Sequence, residues 1–345
     1  MPANPLPQGI LPSQAILELI ASGAVTLAAT AAEGQVQPAS LDLRLGSEAF
    51  RIRASFLPKP GEPVALKLGQ LGLHRIDITA GAVLETGCVY VVPLMEQLSL
   101  PTGLAAAANP KSSTGRLDVF TRVIADGVAA FDQMPAGYRG GLYAEICPQT
   151  FPIVVRAGSR LSQIRFRRGE LAEASAKKID LSVDLAPGGN GLVGYRAKRH
   201  TGVIDVDKPG AYDIADYWEP IRQRPNENRL ILDPDQFYIL ASKEAVSVPP
   251  DEAAEMVPFN PLVGEFRVHY AGFFDPGFGF SATGGAGARA VLEVRSHTVP
   301  FVLEDGQTIG RLVFEPMTER PETLYGTGLG SHYQAQGLKL SKHFR

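Results

Sequence analysis

Cysteine is scarce: Cys88 and Cys147 are the two in 345 residues. Two thiols cannot make a disulfide framework, which points to a reducing compartment, the cytoplasm. They cannot make a zinc site either, because no Cys-x-x-Cys occurs and the six histidines show neither His-x-Glu nor His-Glu-x-x-His spacing. Long apolar runs are also missing. No stretch approaches 18 uninterrupted apolar residues, and the opening MPANPLPQGILPSQAILELI has no basic segment ahead of an apolar one, so neither a membrane span nor an export signal is expected. Charge of one sign is not in excess. A formal net charge of −3 supplies no broad basic field, so nucleic acid is not an expected partner, while a small anion in a local basic pocket is allowed.

What is present suits a folded protein. Hydrophobic residues make up 45% and charged residues 20%, enough for a core, and the length favours two domains over one. Glycine (36) and proline (27) are spread along the chain, so turns recur and many short strands are expected. Gly87 to Pro93, Phe151 to Val155, Gln236 to Leu240 and Ala290 to Val294 carry β-branched or alternating runs. One helix is predicted over 13–22, with Ser13 as N-cap and Gly23 as the stop.

The chain also resembles itself. At a shift of 148 residues, Leu84 meets Leu232, Tyr90 meets Tyr238, Glu96 meets Glu244 and Pro110 meets Pro258. The register then holds through Glu145 and Glu293, Thr150 and Thr298, Gly158 and Gly306, and Phe166 and Phe314. Two diverged copies of one β-domain are expected, copy 1 over 1–170 and copy 2 over 225–345 with a C-terminal strap. The polar stretch 171–224 reads as a partly ordered connector.

The sharpest motif is Asn109-Pro-Lys-Ser-Ser-Thr-Gly-Arg116. A lysine, hydroxyls, a glycine and an arginine in sequence offer charge, donors and close backbone approach, the chemistry of a phosphate cradle. It is not a Walker loop, and taken alone it also reads as a polar turn. Copy 2 has Phe259-Asn-Pro-Leu-Val-Gly264 at the matching place, without cation or hydroxyl, so copy 1 is the expected phosphate binder.

Read in order, several strings resemble the dCTP deaminase and dUTPase family. They are Gln37-Pro-Ala-Ser-Leu-Asp-Leu-Arg-Leu-Gly46, Glu96, Leu100-Pro101, Lys111 to Arg116, Tyr138-Arg-Gly140, Glu145 and Arg156 to Ile164. Copy 2 adds Val268 to Gly277, Val291-Leu-Glu293, Gly306 to Ile309 and Tyr333-Gln-Ala-Gln336. The resemblance implies an all-β chain of two tandem dUTPase-like distorted jelly-roll (β-clip) domains with few short helices, assembling as a homotrimer. It implies a deoxynucleoside triphosphate substrate bound by Lys111, Ser112, Ser113, Arg116, Asp132 and Tyr138, with Tyr333 and Gln336 in the strap. Ala125 would supply the carbonyl that positions the attacking water, and Glu145, with Glu293 in copy 2, the acid-base glutamate. Mg²⁺ would arrive on the triphosphate and no zinc would be used. Copy 1 departs from the pattern in a longer hairpin, Phe131 to Gly137, and copy 2 in the insertion Ser281 to Arg289.

The implied reaction is hydrolytic deamination of dCTP to dUTP and ammonia, with one carboxylate carrying water's proton to the leaving amine. The rivals are dUTP diphosphohydrolysis, alone or after deamination, and non-catalytic nucleotide binding. Asp132 lies six residues before Tyr138, farther than the dUTPase base stands, so Glu145 favours the deaminase. Other features read plainly. Gly277-Phe-Gly279 imitates a dinucleotide fingerprint without a following helix, His269 reads as a hydrogen-bonded core histidine, and Arg196, Lys198 and Arg199 read as a solvated face.

Overall fold

A computed structural model describes residues 7–169, 176–186, 189–258, 266–268, 272–281, 287–296, 298–326 and 337–345. It is an all-β protein with few short helices. Tyr333, Gln336, Asn260 and His269 lie outside the described residues.

Two sheets enclose the first core. One orders Gln133–Met134, Leu104–Pro110, Arg160–Arg168, Ser40–Arg44 and Val36–Gln37; the other orders Val119–Ala125, Arg139–Pro148, Val89–Ser99, Glu48–Ile52 and Gly72–Asp77. Leu41, Leu43 and Phe166 from one sheet meet Val92, Ala144 and Ile146 from the other, all fully removed from water. Alternation along each strand drives this, since inward apolar side chains must find another apolar face. The predicted runs appear as Val89–Ser99, Ile153–Val155, Phe237–Val246 and Ala288–Ser296.

A second pair of sheets repeats the arrangement. Lys178–Ser182, Thr308–Pro316, Glu252–Pro258 and Phe273–Phe274 form one, and Trp218–Arg222, Leu192–Ala197, Phe237–Val246, Ala288–Ser296 and Phe266–Val268 the other. Leu181, Leu240, Leu292, Leu312 and Phe314 fill the space between them. The shift of 148 carries Leu104–Pro110 onto Glu252–Pro258 and Arg160–Arg168 onto Thr308–Pro316. Small details follow it. The Tyr90 hydroxyl accepts the Glu85 N–H and the Tyr238 hydroxyl that of Asp233. The Glu96 carboxylate accepts the Arg44 N–H at 2.8 Å, and Glu244 accepts that of Ser182 at 2.8 Å.

The expected connector 171–224 is regular structure over much of its described length. Lys178–Ser182 pairs with Thr308–Pro316, Leu192–Ala197 with Phe237–Val246, and Ile204–Asp205 runs parallel to Ile153–Val155 of the first set. The sequence hid this because the strands are short, and one of them, Leu192–Ala197, is interrupted by Gly194. Gly194 is required where it stands, since a Cβ there would meet Leu240 Cδ2 at 2.5 Å. The Arg196 guanidinium pairs with Glu219 at 2.5 Å on the exposed side, as a solvated face should. The helix spans Ser13–Ala21, with Pro12 at the N-cap position and Ser13 already inside, so the serine cap does not form; Gly23 ends the turn at φ +78. Gly279, at φ +64, lies in turns beside Val246, where its missing Cβ avoids a 2.2 Å clash with the Val246 oxygen. Among the described residues no helix is long and apolar enough to cross a membrane.

Aromatic packing ties the later chain back to the first core. The Phe151 ring lies 5.7 Å from Tyr217, 5.4 Å from Trp218 and 6.4 Å from Phe344. Next to Phe344, buried His343 donates from Nε2 to the Val206 oxygen at 2.8 Å, and burial pushes its pKa down to about 4. The unfolded chain therefore takes up a proton below about 6.5 that the folded protein refuses until about 4, so this residue's contribution falls as pH drops through that window. The full drop corresponds to about 3 kcal/mol. Thermal unfolding of the protein and of His343→Gln at stepped pH should show their stability difference changing between pH 6.5 and 4, with the wild type losing ground. A constant difference would contradict the assignment.

Candidate active site at the junction of the two strand sets

The phosphate-cradle motif forms a pinned loop. The Lys111 N–H donates to the Leu161 oxygen, Ser112–Gly115 make one helical turn, and Thr114 Oγ1 donates to the same Leu161 oxygen at 2.9 Å. Ser113, Thr114, Gly115 and Arg116 are buried. Behind the loop Lys111 Nζ pairs with Asp42 Oδ2, and Arg160 stands 3.5 Å from the same oxygen. Lys342 joins them: burial, then the charges of Lys111 and Arg160, hold its ammonium below the usual lysine range. Asp42 and Asp207 are the carboxylates beside these three cations, and the surplus of positive charge favours an anion. Asp42, Arg160 and Lys342 were missed as site residues by sequence, although the first two stand inside the family-like strings.

Residues 337–345 come back to this loop. Arg116 donates from NH1 to the Lys339 oxygen at 3.0 Å, and the Ser341 hydroxyl donates to the Ser113 oxygen at 2.8 Å. Tyr333 and Gln336, expected in a strap that closes over the nucleotide, lie outside the described residues; the chain from 337 onward meets the Lys111 to Arg116 loop.

The two glutamates have different surroundings. Glu293 lies on Ala288–Ser296, buried, with its Oε1 3.8 Å from Arg116 Nε. Burial raises its pKa to about 8 despite the Arg116 charge, which pulls the other way. Glu145 lies on Arg139–Pro148, directly across from Arg122. Its Oε1 accepts from Arg122 Nε at 3.2 Å and NH2 at 2.6 Å, and its Oε2 is buried without a hydrogen-bond partner. Arg122 is in turn fixed over the Phe131 ring, 3.5 Å from its centroid. Arg116 thus meets the glutamate of the second set, and Glu145 meets an arginine of its own sheet.

The remaining predicted residues fall around Glu145. Desolvation pushes Asp132 up to about 7, opposed by the Val123 N–H, which donates to Oδ1 at 2.7 Å, and by Arg122, and reinforced by Glu145 and Glu255. Ala125 ends the strand Val119–Ala125, and its carbonyl accepts the Val128 N–H at 3.2 Å, leaving one lone-pair direction. The Tyr138 hydroxyl accepts the Asp126 N–H at 2.9 Å and donates to the Gly141 oxygen at 2.7 Å, so its donor is committed to the fold rather than to a ligand. Among the described residues no three His, Cys, Asp or Glu side chains gather as a metal cage.

Two family models match, the N-terminal domain of 2'-deoxycytidine 5'-triphosphate deaminase over residues 7–170 and its C-terminal domain over 156–344. A curated relative from Beutenbergia cavernae, "dCTP deaminase, dUMP-forming", is 33% identical over 157 residues, covering 42% of this chain and 74% of the relative. One of the same description from Halobacterium salinarum is 30% identical over 181 residues, 50% of this chain and 86% of the relative. The crystal structure of 2'-deoxycytidine 5'-triphosphate deaminase from Agrobacterium tumefaciens is 60% identical and superposes with a TM-score of 0.85, covering 90% of this chain and 99% of that one. The chain belongs to the dCTP deaminase family.

Proposed function

We propose that this protein hydrolyses dCTP at C4 of the base, releasing ammonia, at a site built from both strand sets. The observation that carries the reading is the approach of Arg116 to Glu293, which joins the phosphate-cradle loop to a buried carboxyl. Lys111, Ser112, Ser113 and Arg116 bind the triphosphate, which brings Mg²⁺ with it as part of the substrate. Glu293, with a pKa near 8, can exchange a proton close to neutral pH. As carboxylate it takes a proton from the water that attacks C4; as carboxylic acid it returns that proton to the departing amine. The sequence put Glu145 first for this role. The geometry favours Glu293, because Glu145 is engaged with Arg122.

The repeated sheet order and the shift of 148 support a duplicated jelly-roll, and the two curated relatives align with 42% and 50% of this chain, as a single-copy protein would. The wider reading keeps three chains around a threefold axis in the cytoplasm. Light scattering on active protein tests the assembly, and a stable active monomer would remove the trimer.

A second reading concerns the product. Relatives carry the description "dUMP-forming", which favours a further hydrolysis of the phosphate chain to dUMP and pyrophosphate. Asp132, half-buried and near 7, is the candidate base for that step. Ammonia and pyrophosphate should both be assayed from dCTP and from dUTP. Ammonia alone identifies a dUTP-forming enzyme, equal release from dCTP a dUMP-forming one, and neither product leaves a nucleotide-binding protein. Glu293→Gln should lower kcat by about 10² to 10⁴, the usual cost of a lost general base, with little change in nucleotide affinity. Arg116→Ala should weaken nucleotide binding by roughly 10- to 150-fold, a lost charge-assisted contact. Glu145→Gln is the matched comparison, and a dead Glu145→Gln beside an active Glu293→Gln would reverse the assignment.

A further inference from the structure

Arg116 and Glu293 come from different strand sets, so their separation depends on what fixes the loop to the strand Ala288–Ser296. Two residues beyond each of them stands a second pair. Arg295 lies two positions after Glu293, on the same face of that strand. Asp118 lies two positions after Arg116. NH2 of Arg295 donates to Asp118 Oδ2, and the carboxylate of this ion pair is 1% exposed. Thr150 closes the triangle, donating its hydroxyl to Asp118 Oδ2 and accepting from Arg295 NH2 at 3.0 Å. NH1 of Arg295 donates to the Asp235 oxygen at 2.6 Å, which fixes the guanidinium from its other side.

Asp118 is also bonded into the loop. Its N–H donates to the Gly115 oxygen at 2.9 Å, and its own carbonyl accepts the Gln149 N–H at 2.9 Å. Its backbone is left-handed, φ 55, a region that non-glycine residues hold only where their surroundings determine it. That conformation turns the chain immediately after Arg116.

The network is one-sided. The shift of 148 places Phe266 at the position of Asp118, and Cys147 at that of Arg295. Gly264 stands at the position of Arg116. In the aligned sequence, therefore, neither Arg116 nor the Asp118–Arg295 pair has a counterpart of its own type. A buried ion pair contributes little net stability over apolar packing and is retained where a single arrangement matters. Among the aligned positions the pair stands beside the Lys111 to Arg116 motif and not at the matching place 148 residues on, which ties it to that site.

We propose that Asp118, Arg295 and Thr150 are positioning residues that hold Arg116 in register with Glu293, giving the chain one competent junction. The inference rests on the reading of Arg116 and Glu293 as the deamination site. Asp118→Asn keeps the shape and removes the charge; Thr150→Val keeps the shape and removes one hydroxyl. In the full-length protein with dCTP, Asp118→Asn should lower kcat by about 100-fold, the cost of a small misplacement of reacting groups. KM should change less, because Lys111, Ser112 and Ser113 still hold the phosphates. Thr150→Val should lose about 10-fold, one hydrogen bond's worth. The pH dependence of kcat separates positioning from mere folding. The Arg116 charge holds the Glu293 pKa down, so loosening Arg116 should move the Glu293 limb to higher pH in both variants.

Unchanged kcat with a lower melting temperature would overturn the proposal, as would a loss of kcat with the limb unmoved. If Asp118→Asn does not fold, Thr150→Val decides by the same two readouts. Glu293→Gln run alongside separates the two ideas: if it keeps wild-type turnover the site assignment itself has failed, whereas a dead Glu293→Gln beside normal Asp118→Asn and Thr150→Val condemns the positioning role alone.

Discussion

Charges removed from water at the junction of the two strand sets must meet opposite charges there, and this requirement sets how the sets dock. Arg167 reaches across to Glu315 with two bonds of 2.7 Å, a bidentate fit that tolerates little sliding. Arg165, 2% exposed, donates to the Ala254 oxygen and to Asp275, and Asn109 donates to Glu255 at 3.0 Å. Leaving any of these unpartnered would cost several kcal/mol, so few relative placements are available. The distance between the Lys111 to Arg116 loop and Glu293 is one result of that docking. The apolar patch of Ile10, Ala39, Ala253 and Met317 adds area, but area alone does not fix register.

The two strand sets share a scaffold under different demands. Tyr90 and Tyr238 cap equivalent turns, and Glu96 and Glu244 hold equivalent backbone amides; these are duties that any copy of the fold must perform. Residues that face the partner set have diverged instead. The first set holds the cations and hydroxyls of residues 111–116, and the second holds a carboxyl with a raised pKa. Glu145 forms an ion pair with Arg122 within one sheet.

Much of this was legible in the sequence, for physical reasons. Strands such as Phe237–Val246 announce themselves because a half-buried strand must alternate, and the loop announces itself because its polar groups are consecutive. The fixed register exposed both glutamates. Their pairing was not legible, because the contacts at the junction link residues far apart, 177 positions for Asp118 and Arg295, with no periodic signal. The stretch 171–224 was misread although Lys178-Ile-Asp-Leu-Ser182 does alternate, since five residues amid polar sequence carry too little pattern. Ser13 was given the cap because its type favours that position; Pro12, with its fixed backbone angle, took it.

The parallel contact of Ile204–Asp205 with Ile153–Val155 has a consequence for how such a protein can change over generations. The chain enters the second set at Lys178–Ser182 and Leu192–Ala197, returns to the first at Ile204–Asp205, and goes back to the second at Trp218–Arg222. Once a connecting segment is woven through both sets in this way, no single cut separates them into two closed units. Each fragment would carry a strand that belongs to the other and expose the edge that strand had covered. A gene that reached this arrangement has no simple way back by fission, and the two strand sets are thereafter inherited, and selected, as one object.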